Sequence, residues 1–108
     1  MADCADNIIM LDIPHFHSDL RMCLHSEGDA MISARLRKDK YWELYETQLT
    51  LQHLREGDVY VDVGANIGYY SLIAAKKVGN NGCVIAYEPN PQNFALLQAN
   101  IKLNHLTK

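Results

Sequence analysis

Acidic residues and glycines recur between positions 62 and 88 at spacings that suit a small charged ligand. Asp62 lies in a short apolar run, and Gly64 and Gly68 bracket the loop that follows it. Glu88 ends a second apolar run, 20 residues after Gly68. A strand, a glycine turn, a helix and an acid at the tip of the next strand form half of a nucleotide-binding βαβ unit.

The residues inside the glycine loop indicate which ligand fits it. Gly64 allows a sharp turn off the strand, and Gly68 lets a ligand approach the helix start, where unpaired N–H groups favour anions. A dinucleotide fingerprint would have glycines at positions 66 and 69, but the sequence has Asn66 and Tyr69. Asn66 obstructs a pyrophosphate and Asp62 repels it. A ligand with an amine and a compact carboxylate suits the loop better, as in the methionine half of S-adenosylmethionine.

Glu88 is the third part of this pattern. An acid at the carboxyl end of a parallel strand faces the crevice where such sheets bind ligands. Its two oxygens can accept both hydroxyls of a ribose. The spacing fits NAD as well as S-adenosylmethionine, so a methyltransferase and an NAD(P)-linked oxidoreductase both remain open. A third alternative is a non-catalytic module that keeps the loop for structure or assembly.

The elements that position these residues are predicted from residue 41 onward. The order is helix, strand, helix, strand, helix, and the two strands should be parallel with a right-handed crossover. The first strand lacks clean alternation, which predicts burial on both faces. The last helix should begin with Asn90 as its N-cap and Pro91 as its first residue. The predicted elements are a helix from Trp42 to Gly57, a strand at Val59–Val63, a helix at Tyr69–Val78, a strand at Cys83–Tyr87 and a helix after Asn90.

The first 40 residues are less regular. We expect weak strands at 7–13 and 20–25, a turn at 26–29, and a short helix capped by Asp29 and continuing through Leu36. The charged stretch at 35–40 is interpreted as a solvated connection. The predicted domains are therefore an N-terminal segment (1–40) with short strands and a turn, and an α/β domain (41–108) with two parallel core strands and flanking helices.

Two motifs carry a family resemblance. Asp-Val-Gly-Ala-Asn-Ile-Gly at 62–68 and Glu-Pro-Asn-Pro at 88–91 resemble the FkbM-type S-adenosylmethionine-dependent methyltransferases, over about residues 28–108. These are Rossmann-like enzymes, typically O-methyltransferases of sugars, polyketides or related small molecules. The resemblance implies an α/β, partial Rossmann-like methyltransferase fold, in which residues 41–108 are the N-terminal half of the S-adenosylmethionine-binding domain. The resemblance implies that Glu88 holds the ribose and that Glu46 and Thr47 approach the cofactor. It also implies a methionine-side loop of Asp62, Gly64, Ala65, Asn66 and Gly68, with Tyr69, Pro89 and Asn90 near the cofactor. It carries over no catalytic residue.

Length and charge narrow the class further. A chain of 108 residues predicts one domain, and a net charge of −3 argues against a general nucleic-acid binder. The acidic N-terminus does not resemble a signal peptide, and no apolar stretch approaches the roughly 20 residues of a membrane span. We therefore expect a cytoplasmic protein with a small-molecule or carbohydrate acceptor and no nucleic-acid or membrane partner.

Cysteines, histidines and aromatic residues outside these motifs support plainer interpretations. The three cysteines are widely spaced, which predicts no disulfide framework and no zinc site and fits a reducing compartment. Cys83 is interpreted as a small buried strand residue. A metal site is not expected in the segment with His15, His17, Asp19 and His25, because Pro14 favours an irregular loop. Ordinary helix packing is expected for Tyr41, Trp42 and Tyr45.

The number of predicted strands bears on assembly. Methyltransferases of the family that this chain resembles have a seven-stranded sheet, and its first strand normally lies in the middle of the sheet. With two strands, a central apolar strand has an open edge, which invites pairing with another chain. We therefore expect either a fragment of a longer protein or self-association through the open sheet edge.

Overall fold

The structure is a computed structural model that describes residue 4 and the ranges 6–26 and 31–106. An antiparallel strand pair comes first, followed by two helices and a parallel βαβ unit with a closing helix. The elements are β1 (Ile8–Met10), β2 (Arg21–Cys23), α1 (Met31–Asp39), α2 (Leu44–His53), β3 (Val59–Val63), α3 (Tyr69–Val78), β4 (Cys83–Tyr87) and α4 (Pro91–Leu103).

The βαβ unit agrees with the sequence prediction. Strands β3 and β4 pair in parallel, in a register that runs from Val59 opposite Cys83 to Val63 opposite Tyr87. Helix α3 connects them and packs against both. At the start of α4 the Asn90 side chain accepts hydrogen bonds from the N–H groups of residues 92 and 93, both at 3.0 Å. These features confirm the α/β class and a partial Rossmann-like fold.

One face of the parallel sheet is exposed, so the prediction that β3 is buried on both faces is wrong. Val59, Val61 and Val63 expose 64%, 53% and 80% of their surface, and Ile85 and Tyr87 expose 41% and 58%. Parallel strands are normally covered by helices on both faces. Within the described residues, α3 supplies that cover on one side, and alternate residues of both strands point the other way.

We expect the purified chain to self-associate through the open edge of this sheet. Sedimentation velocity should show dimers or larger species. The substitution Val61→Lys places a charge on the exposed face of β3. It should shift the dimers toward monomer, because a charged side chain disfavours edge-to-edge pairing of two sheets. Tyr45→Lys is the matched control, since Tyr45 is 73% exposed on α2. A stable wild-type monomer with a cooperative unfolding transition would contradict the expectation.

The buried core joins the first 40 residues to the helices of the βαβ unit. One cluster contains Leu11, Ile13, Leu20, Met22, Cys23, Leu24, Leu36, Leu51, Ile67, Tyr69, Leu72, Ile73 and Leu96. Tyr41 and Trp42 pack against it from the turn before α2, whereas Tyr45 is solvent-exposed and does not pack as predicted. The division of the chain into two domains at residue 40 stays a prediction from the sequence.

Helices α1 and α2 differ from their predicted bounds. α1 runs past Leu36 to Asp39, so most of the charged stretch is helical. The reason is amphipathicity: Leu36 is fully buried, while Arg35, Arg37 and Lys38 face solvent. α2 begins at Leu44 and ends at His53, inside the predicted limits. The predicted Asp29 cap and most of the turn at 26–29 lie outside the described residues.

The cysteine prediction is wrong in two respects. Cys4 and Cys23 form a disulfide with their Cα atoms 5.3 Å apart. The antiparallel pairing of β1 with β2, and a turn in which Asn7 N–H donates to Cys4 O at 3.1 Å, bring together residues that are distant in sequence. Cys83 is exposed because its side chain lies on the uncovered face of the sheet. The argument for a reducing compartment assumed that no cysteines pair, and the Cys4–Cys23 disulfide removes that argument. The cytoplasmic location stays a prediction.

The helices described here are short. Within the ranges that the structure describes, none is long and apolar enough to cross a membrane.

Candidate cofactor-binding site

The loop at 64–68 lies over the carboxyl ends of β3 and β4. The N–H groups of Gly64 and Ala65 both donate to Tyr87 O at 2.9 Å, so the loop folds back onto the last residue of β4. Gly64 has φ +78° and Asn66 has φ +57°, both in the left-handed region. Two successive reversals of this kind give a compact loop at the edge where parallel sheets bind ligands.

Glu88 ties this loop to the start of α4. Its Oε1 accepts from Asn66 N–H at 2.7 Å and its Oε2 from Asn90 N–H at 2.9 Å. A carboxylate has about four acceptor positions, so each oxygen keeps the capacity to accept one further hydrogen bond. The structure therefore places Glu88 beside the loop, as the sequence suggested, and its ribose role stays a prediction.

Asp62 lies on the other side of the loop. It is 9% exposed, and its Oδ2 accepts from the Ser71 hydroxyl in the first turn of α3 at 2.6 Å. Burial, and to a lesser degree the Asp62 carboxylate, raises the pKa of Tyr60. The neighbouring phenol therefore stays neutral and adds no second negative charge beside Asp62.

Gly68 has a packing role that the sequence analysis did not anticipate. Its φ is +103°, and a Cβ built there would lie 2.8 Å from Leu97 Cδ1 on α4. The prediction explained the missing side chain by the approach of a ligand. The structure shows that the direction of the absent Cβ is filled by a methyl group of Leu97, so a residue with a side chain would have to displace that methyl and would also adopt a strained positive φ.

Tyr69 and Tyr70 connect the helix start to α2. Tyr69 is 1% exposed, and its hydroxyl lies 2.9 Å from Thr47 Oγ1. Tyr70 donates to the Glu43 carboxylate at 2.7 Å. Burial raises the pKa of both phenols. Thr47 is itself fully buried and would affect a cofactor through Tyr69 rather than by contact.

The structure thus gathers most of the predicted residues at one end of the sheet. Those gathered are Asp62, Gly64, Ala65, Asn66, Gly68, Glu88, Pro89 and Asn90. The Tyr69 hydroxyl points to α2, and Glu46 is exposed on that helix. Sequence reasoning missed Glu43, Ser71 and Leu97, whose contacts join separate elements. None of the three carries a local sequence sign, and the left-handed φ of +45° at Glu43 is seen only in the structure.

The residues considered for a metal are drawn to different partners. His25 Nε2 lies 2.8 Å from Asn93 Oδ1, and Asp19 forms an ion pair with Lys76 at 3.1 Å. The hydrogen bond and charge of that lysine lower the pKa of Asp19. Among the described residues, no cluster of three or more His, Cys, Asp or Glu side chains could hold a metal ion.

A parallel βαβ unit with this loop, an acid on each side of it and no glycine at 66 or 69 has the form of an S-adenosylmethionine-type methyltransferase. The family model of the TRM5/TYW2 methyltransferase domain matches residues 39–108. That is more than half of the chain, and the chain belongs to this family. Membership implies a methyl donor of the S-adenosylmethionine type.

Three curated relatives illustrate the range of similarity. The 31-O-demethyl-FK506 methyltransferase FkbM of Streptomyces tacrolimicus is 44% identical over 64 residues, covering 56% of this chain and 24% of that protein. A tRNA (guanine(37)-N(1))-methyltransferase of Danio rerio is 38% identical over 71 residues, 59% of this chain and 13% of the relative. The hexuronic acid methyltransferase AglP of Haloferax volcanii is 42% identical over 53 residues, 49% of this chain and 20% of the relative.

The chain spans a quarter or less of each of these relatives. No solved structure gives a significant match.

Proposed function

We propose that this chain binds S-adenosylmethionine and supplies the cofactor half of a methyltransferase of the FkbM type. The reaction proposed is O-methylation of a sugar, a polyketide or a similar small molecule. The observation that carries the proposal is the loop at 64–68, which lies between two acids from neighbouring parallel strands, Asp62 and Glu88.

Each part of the cofactor finds a suitable group at this loop. The methionine amine would meet the Asp62 carboxylate, one oxygen of which is engaged by Ser71. The methionine carboxylate would meet the N–H groups in the first turn of α3, which lack intrahelical acceptors. The ribose hydroxyls would donate to the remaining acceptor positions of Glu88. The same groups serve a dinucleotide poorly, since Asn66 stands where a pyrophosphate needs glycine.

The chemistry follows from these positions. In the proposed transfer, the methyl group would pass from the sulfonium to the acceptor oxygen, S-adenosylhomocysteine would leave, and the hydroxyl proton would pass to solvent or to a base in the further polypeptide. The cofactor supplies the activated methyl group, while the protein holds it in line and excludes water. The residues of this chain bind and orient the donor, and the acceptor-binding side is proposed to lie in further polypeptide.

The acceptor class is proposed from charge and from two relatives. The chain has 13 acidic residues against 10 lysines and arginines, so the cofactor half itself offers no net positive charge to a polyanion such as RNA. FkbM and AglP are named for small-molecule or sugar-acid substrates. We therefore propose a small-molecule or carbohydrate acceptor and no nucleic-acid or membrane partner.

Calorimetric titration tests the cofactor proposal. S-Adenosylhomocysteine should bind the chain, and NAD should not bind at the same concentrations. Binding of NAD alone would support the oxidoreductase alternative. Binding of neither ligand would leave the loop with the purely structural role suggested by its contacts to Leu97 and Glu88.

Glu88→Ala is the variant that tests the ribose role in the same titration. Loss of hydrogen bonds to a charged group should weaken S-adenosylhomocysteine binding by about ten- to a hundredfold. Glu56→Ala is the control, because Glu56 is an exposed acid that precedes the amino end of β3, next to Gly79, whereas the loop follows the carboxyl end of that strand. Unchanged affinity in Glu88→Ala would refute the ribose assignment.

A further inference from the structure

Asn100, in the last turn of α4, makes a set of contacts that the cofactor motifs do not explain. Its side chain is fully buried. Its Oδ1 accepts from Cys23 N–H at 2.6 Å, and its Nδ2 donates to Cys23 O at 3.1 Å and to Ile67 O at 2.8 Å. One side-chain amide therefore joins α4, β2 and the loop at 64–68, which we call the cofactor loop.

The chemistry of the partners fixes the orientation of this amide. A backbone N–H can only donate, and a backbone carbonyl can only accept. The oxygen of Asn100 must therefore face Cys23 N–H, while its two N–H bonds face the carbonyls of Cys23 and Ile67. Each N–H of the amide has a partner, and alanine at this position would remove the partner of Cys23 N–H, Cys23 O and Ile67 O.

Asn104, one helical turn later, makes a similar contact without reaching the loop. It accepts from Arg21 N–H at 2.9 Å and donates to Arg21 O at 2.7 Å, and it also donates to the backbone O of Asn100 at 2.8 Å. Four residues of helix rise about 6 Å, close to the roughly 6.6 Å between alternate residues of a strand. The two amides therefore pair with alternate residues of β2, and only Asn100 also contacts the loop.

Ile67 lies at the most constrained part of that loop. It is fully buried, and its neighbours Asn66 and Gly68 have φ values of +57° and +103°. Such conformations persist where surrounding contacts hold them. Two contacts do so here: Glu88 accepts from Asn66 N–H, and Asn100 donates to Ile67 O.

We propose that Asn100 is a positioning residue for the cofactor loop and that it makes β2 part of the support of the site. Cys23 lies outside the family match, which begins at residue 39, whereas the loop lies inside it, so a segment outside the match supports the loop. The binding measurement that tests this inference rests on the proposed function. The second measurement, amide hydrogen exchange in the loop, depends only on the geometry of the loop.

The test compares Asn100→Asp and Asn100→Ala with Asn104→Ala. Asn100→Asp keeps the size of the side chain and the acceptor for Cys23 N–H but replaces the donor that reaches Ile67 O and Cys23 O. Asn104→Ala removes the same kind of contact with β2 and leaves the loop untouched. Each variant is titrated with S-adenosylhomocysteine below its melting temperature, and amide hydrogen exchange is measured at residues 64–68.

Both Asn100 variants should bind about tenfold more weakly, and their loop amides should exchange faster. Asn104→Ala should keep its affinity within about twofold even where its stability falls. A folded Asn100→Asp variant with wild-type affinity and wild-type loop exchange would overturn the inference. If the wild-type chain binds no S-adenosylhomocysteine, the proposed function fails, and the exchange comparison alone decides the positioning role.

Discussion

Replacing Gly82 with alanine is expected to destabilise the chain by about 3 kcal/mol, the upper part of the range for overpacked sites. A Cβ at this position would lie 2.6 Å from Val78 Cγ2 and 2.7 Å from Asp58 O. Val78 is 1% exposed at the end of α3, and Asp58 O is held by Cys83 N–H at 3.0 Å. Neither neighbour can move without displacing the first pair of the parallel sheet.

Urea unfolding followed by the fluorescence of Trp42 measures this effect. Asn81→Ala is the matched control, because Asn81 is exposed in the same turn and its replacement should change the free energy of unfolding by no more than about 0.5 kcal/mol. Equal midpoints for the two variants would show that the turn can shift to admit a Cβ.

Reducing the Cys4–Cys23 disulfide is expected to lower the free energy of unfolding by about 3 kcal/mol. The two cysteines are 19 residues apart, and a cross-link that closes a loop of this size restricts the unfolded chain by roughly that amount. Unfolding midpoints with and without dithiothreitol measure the difference. Cys4→Ser should abolish it.

Cys83→Ser provides the control for the disulfide. Cys83 is the exposed free thiol among the described residues, and its replacement should leave the response to dithiothreitol unchanged. Three reactive thiols in the denatured, unreduced wild-type chain would contradict the disulfide.

The parts of the fold that sequence predicted well are those set by neighbouring residues. β3, α3 and β4 have the predicted bounds, because each lies between strong turn signals such as Gly64, Gly68 and Gly79. The cap of α4 was readable because Asn90 and Pro91 form a local N-terminal pattern. The candidate site was predictable to the same degree, since the loop and Glu88 follow short strands whose carboxyl ends must meet.

The parts that sequence did not predict depend on contacts between distant residues. Asn100 and Cys23 are 77 positions apart, and nothing local marks either as a partner of the other. The disulfide depends on the pairing of two three-residue strands that carry weak signals. The exposure of Val61 and Val63 depends on which elements cover the sheet, and a strand does not encode its own cover.

The contact between α4 and β2 also has a consequence for synthesis of the chain. β2 leaves the ribosome well before Asn100 and Asn104, which provide its edge with hydrogen-bond partners. At 5–20 residues per second, those partners follow on the order of ten seconds later. During that interval the antiparallel pair of β1 and β2 has an unpaired edge in the nascent chain. The pair reaches its native contacts only when translation has passed Asn104, and we expect it to be the part of the chain that depends most on chaperones.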